Sequence, residues 1–118
     1  MEPDPLTPPT QGLTVIPTDD GATLSGEVDM ANWTTLASAL RRVVETRDQD
    51  PHLVLDLADV AFIDGHGLLL LVEAARDLGP SRQLVLRGAS PILMRLAEAL
   101  HLDREPALVI EGRGTGKT

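Results

Sequence analysis

No cysteine occurs anywhere in the 118-residue chain, which excludes disulfides and thiolate metal sites. Aromatic side chains are almost as scarce: Trp33 and Phe62 are the only ones, so no series of ring faces exists on which bases could stack. Positive charge is short as well. Ten Lys and Arg stand against 18 Asp and Glu, a formal net charge of −8 that repels phosphate backbones, and no basic stripe offsets it. Nucleic acid is therefore not an expected partner. Long hydrophobic runs are missing too. The longest, residues 68–72, is far below the roughly 20 apolar residues a membrane helix needs. The opening stretch "MEPDPLTPPTQG" is acidic and proline-rich where a signal peptide is basic and then apolar. A soluble, cytoplasmic protein is expected.

What the chain does have is aliphatic. With 42% hydrophobic residues it supports one core built from Leu, Val, Ile and Ala, and its length suits a single domain. Residues 1–11 carry four prolines and little that can be buried, so they are expected to form a disordered tail. The domain itself is expected over 12–111, followed by a flexible tail over 112–118. "LTVIPT" (13–18) and "ATLSG" (22–26) flank "DDG", and the Asp-Gly step suggests a hairpin turn at positive φ. From Trp33, apolar residues at Leu36, Ala37, Leu40, Val43 and Val44 trace one helix face, with Asp29 or Asn32 available as N-cap. "HLVLDL" (52–57) reads as a buried strand. A helix follows over about 67–78, ended by Gly79 and Pro80, then a strand at 83–87. Ser90 and Pro91 open a helix reaching about Leu102, and "ALVI" (107–110) forms the last strand. The order β-β-α-β-α-β-α-β predicts an α/β fold with a mixed, mostly parallel sheet.

The stretch "FIDGHG" (62–67) stands where a strand hands over to a helix, a junction at which free backbone N–H groups gather. Two readings fit Asp64, Gly65, His66 and Gly67. In one, Asp64 caps the helix and the glycines permit a tight turn; in the other, position 66 is presented to a partner. A metal site finds no support, because His52, His66 and His101 fall on separate elements without ligand spacing. An imidazole base oriented by Asp64 has no Ser or Cys beside it in the loop. "GRGTGKT" (112–118) ends like a phosphate-binding loop, but Glu111 stands where that motif requires its first glycine. In the helix that follows, Leu68, Leu71, Val72, Ala75 and Leu78 form the core stripe, which sets Leu69 and Leu70 outside it with Glu73, Arg76 and Asp77. The two leucines are either a contact patch or the seat of a neighbouring helix.

Three segments resemble the STAS family of bacterial anti-sigma factor antagonists. They are "LSGEVDM" (24–30), "LVLDLADVAFIDGHGLLLL" (53–71) and "LVLRGASPILMRLAEALHLDR" (84–104), and the likeness runs from about Leu13 to Ile110. The resemblance implies a STAS-like fold and a bacterial regulator of transcription that binds an anti-sigma factor with serine kinase activity. It implies no enzymatic activity and no cofactor. In that family the loop reads Asp-Ser-Ser-Gly or Asp-Ser-Thr-Gly, and its second hydroxyl residue accepts phosphate from the kinase. Asp64 and Gly67 match the family frame, Gly65 replaces the first hydroxyl residue, and His66 stands at the phosphoacceptor position. Carried over, the partner surface comprises Asp29, Asp64, Gly65, His66, Gly67, Leu69, Leu70 and Glu73. Two alternatives stay open: a STAS subunit of another assembly, such as a lipid-transport ATPase or a stress-sensing complex, and a phosphohistidine carrier using His66. Homodimer formation also stays open.

Overall fold

The computed structural model describes residues 12–47 and 50–112. The expected N-terminal tail (1–11) and 113–118 of the expected C-terminal tail lie outside them. Five strands form one sheet in the order β1-β2-β3-β4-β5, with β1 at Leu13–Thr18, β2 at Gly21–Val28, β3 at His52–Ile63, β4 at Gln83–Ala89 and β5 at Leu108–Gly112. β1 and β2 are antiparallel, and every later pairing is parallel. Three helices fill the crossovers: α1 at Trp33–Thr46, α2 at Gly65–Asp77 and α3 at Pro91–Ala99. The mixed α/β sheet expected from the alternating pattern is present. Because the right-handed crossovers all step in one direction across the sheet, the helices lie on a single face.

That face holds the core. Leu53, Leu55 and Leu57 of β3 and Leu84 and Leu86 of β4 are buried against Leu36 and Leu40 of α1, Leu68 and Leu71 of α2, and Leu93 of α3. The alternate residues of the strands point to the other face. Val54 faces Val85 across β3 and β4 there, and Asp56, Arg87 and Glu111 form a row across three strands in which Arg87 pairs with Glu111 at 3.4 Å.

Four local expectations change. Asp19 and Asp20, not Asp-Gly, make the hairpin turn, and Gly21 is already paired with Thr18 in the ladder. A Cβ on Gly21 would collide with the backbone of Val54, so the glycine serves the close approach of β2 to β3 rather than the turn. β3 runs to Ile63 instead of ending at Leu57. Its second half pairs with β2 alone, through Asp59, Val60, Phe62 and Ile63, whereas its ladder with β4 stops at Asp56. Ala58 and Asp59 break the apolar run, and only the neighbouring strand carries the strand past them. α2 begins at Gly65, two residues earlier than the apolar pattern suggests. α3 stops at Ala99: His101 takes a left-handed conformation (φ 61°), and a short 3-10 turn at Leu102–Arg104 carries the apolar period onward.

Candidate functional site

The carboxyl ends of β2 and β3 and the N-termini of α1 and α2 meet at one end of the sheet. Asp64, the last residue before α2, has extended backbone (φ −83°, ψ 173°) and caps the helix: its Oδ1 accepts from the Gly67 N–H at 2.8 Å. The same carboxylate accepts from the indole Nε1–H of Trp33, at 3.0 Å to Oδ1 and 3.1 Å to Oδ2. One side chain thus ties together the starts of two helices that are 31 residues apart in sequence. The Asp64 N–H donates to Val28 O at 3.1 Å, which fixes the loop against β2.

The two glycines of the loop have different roles. A Cβ on Gly67 would come within 2.5 Å of Val28 Cγ1, so this position needs glycine for packing. A Cβ on Gly65 would meet nothing within 4 Å, and Gly65 has no positive φ. Of the two glycines, only Gly67 is required by the space around it. His66 between them is exposed, and its ring lies 4.0 Å from that of Trp33, tilted by 41°. The Asp64 carboxylate is held by Gly67 and Trp33, and the ring beside the imidazole of His66 is the tilted indole.

Asp29 caps a 3-10 turn, Met30–Asn32, that leads into α1, and its side chain accepts from Ala31 N at 3.0 Å. Asn32, the other candidate cap, is buried and makes no side-chain cap to α1. Its Oδ1 accepts from Asp29 N at 3.1 Å and its Nδ2 donates to Glu27 O at 2.9 Å, which fastens α1 to the end of β2.

The surplus leucines separate. Leu69 is 44% exposed in the first turns of α2, beside the loop. For Leu70 the second alternative holds: it is partly buried, packs against the core and lines a groove between α1 and α2, with Glu73 on the rim. The reason is that α1 lies directly against α2, so the face left over by the α2 core stripe is not all solvent. On the other side of the loop a groove of about 510 Å³ runs between the open half of β3 and α3, floored by Leu57, Val60 and Leu93 and closed by Asp64 and Gly65. Phe62 (53% exposed) and Ile92 (76% exposed) stand along it.

Trp33, Phe62 and Ile92 were not singled out as site residues in the sequence. The one signal the sequence offers for them is that both aromatics of an aromatic-poor chain stand near predicted helix starts. Among the described residues, no group of three or more His, Cys, Asp or Glu side chains could hold a metal ion, and no helix is long and apolar enough to cross a membrane.

Residues 18–111 match the family model described as "Mlab, STAS domain". Among solved structures, the chain is similar to the crystal structure of an anti-sigma factor antagonist from Mycobacterium paratuberculosis. Sequence identity is 29%, the TM-score is 0.67, and the alignment covers 88% of this chain and 90% of that one.

Proposed function

Since the chain belongs to the STAS family, we propose that it is an anti-sigma factor antagonist-like regulator of bacterial transcription that works by binding in the cytoplasm and catalyses no reaction. Its partner is an anti-sigma factor with serine kinase activity, and the docking surface is the Asp64–Gly67 loop with Leu69 beside it and Asp29 at its flank. The observation that carries this reading is the similarity over nearly the whole chain to a solved anti-sigma factor antagonist. The local geometry supports it: Asp64 and Gly67 are spent on holding the turn, which leaves Gly65 and His66 outward and exposed.

Docking of such a loop is sensitive to charge. A phosphate there adds about −1.5 to −2 charges at neutral pH next to Asp64, and a partner surface fitted to the unmodified loop is repelled. With Gly65 and His66 in place of two hydroxyl residues, the loop offers the kinase no serine or threonine, and the protein stays in its docking form. Titration of a purified anti-sigma-type serine kinase into the protein, with and without ATP, tests this. Binding that ATP does not abolish is expected; absence of binding at micromolar concentrations overturns the partner assignment.

A second reading, a STAS subunit of another assembly such as a lipid-transport ATPase, is favoured by one observation. The matching family model is described as "Mlab, STAS domain", a description that names no anti-sigma factor antagonist. Co-purification with an ATPase subunit in place of a kinase distinguishes the two.

A further inference from the structure

The groove between α1 and α2 is separate from the loop, and its chemistry is specific. Both helices present a stripe at helical spacing: Ala37, Leu40, Arg41, Val44 and Glu45 on α1, and Leu70, Glu73, Ala74 and Asp77 on α2. The floor is apolar and only partly covered, with Ala37, Val44 and Leu70 half-buried. The charged residues are all exposed, and they number three carboxylates against one guanidinium. Among the described residues the ion pairs join Arg76 to Glu105 and Arg87 to Glu111, and neither includes a charge of this groove. Its volume, about 300 Å³, suits a few aliphatic side chains. Its lining spans residues 37–45 of α1 and 70–77 of α2, a trough about 12 Å long that matches the two turns between positions i and i+7 of a third helix.

We propose that this groove docks a basic amphipathic helix of a protein partner, with aliphatic anchors over Val44 and Leu70 and lysines or arginines against Glu45, Glu73 and Asp77. An apolar floor between two parallel stripes accepts a third helix through residues spaced i, i+3, i+4 and i+7. The unpaired acidic rim then selects the sign of the partner's flanking charge and excludes an acidic helix of the same pattern. The inference rests on the reading of the chain as a partner-binding protein and gives that partner a second contact, one that leaves the loop free.

The test uses a synthetic helical peptide of about four turns, with leucines at the anchor spacing and lysines beside them, against a counterpart carrying glutamates in place of the lysines. Fluorescence anisotropy is read at two salt concentrations, and amide shifts of the protein map the contact. The lysine peptide is expected to bind and to move the amides of Ala37, Val44, Leu70 and Ala74, while the glutamate peptide does not bind. Glu73→Lys with Asp77→Lys is expected to weaken binding about tenfold, as loss of two ion pairs of ordinary surface strength implies. Glu98→Lys with Asp103→Lys, the same change of net charge on and beyond α3, is expected to weaken it far less. Glu73→Gln with Asp77→Asn gives an intermediate loss and serves as the second variant should the reversal unfold the chain, which circular dichroism reports. Equal losses for the two reversals, shifts centred on Phe62 and Ile92, or no binding of the lysine peptide overturns the proposal. Titration with the whole kinase separates it from the loop reading: kinase binding without peptide binding removes the groove alone, and peptide binding without kinase binding supports the groove while the loop assignment falls.

Discussion

The inner and outer sides of the α2 first turn differ in what they allow. Inward, Gly67 meets Val28, and the Asp64 carboxylate holds both the Gly67 N–H and the Trp33 indole. Outward, Gly65 borders open space and the exposed His66 lies beside the Trp33 ring. The difference teaches that conserving the frame of such a loop and conserving its chemistry are separate physical demands. Packing and capping enforce the first, and nothing inside the fold enforces the second.

The comparison breaks most visibly on the inner side. Gly67→Val is expected to destabilise by about 3 kcal/mol, because added methyl groups must displace Val28 and the cap beneath it. A thermal melt followed by circular dichroism should show a fall of roughly 10 °C or more; a fall no larger than for Gly65→Val would erase the distinction between the two glycines. Asp64→Ala ranks next, at about 2 kcal/mol, since it removes an N-cap and leaves the partly buried indole N–H without its acceptor. Trp33→Phe isolates the second part of that loss. It keeps most of the ring against His66 while removing the donor, and about 1 kcal/mol is expected from denaturant titration.

On the outer side stability should hardly move and recognition should. Leu69→Asp is expected to change stability by less than about 0.5 kcal/mol while weakening kinase binding measurably. Leu70→Asp, by contrast, should cost stability, because Leu70 packs against the core beside α1. The smallest structural effect is expected from His66→Ser, which should leave the melting curve unchanged and create a kinase substrate. Incubation with kinase and ATP, followed by intact mass and site mapping, checks it. Phosphate on the wild-type protein at Thr34, Thr35 or Ser90, with loss of binding, would show that the switch had moved elsewhere; phosphate on His66 would favour the carrier alternative.

Much of this was legible in the residues. Leu36, Leu40 and Val43 recur at helical spacing, "HLVLDL" and "QLVLR" are short apolar runs, and Ser90 with Pro91 marks a helix start, so the element order followed from hydrophobic period and capping chemistry alone. These signals are local, and local sterics and burial decide them. The frame of the loop was legible for the same reason, since Asp64 before a helix carries its own capping geometry. What only the tertiary structure decided were relations between residues distant in sequence. The Trp33 donor reaches Asp64 across 31 residues, β3 continues past Ala58 and Asp59 only because β2 pairs with it there, and α1 settles on Leu70 while leaving Leu69 in solvent. Periodicity specifies which face of an element is apolar. Which neighbour covers that face depends on crossover direction and helix packing, and those are set only when the whole sheet assembles.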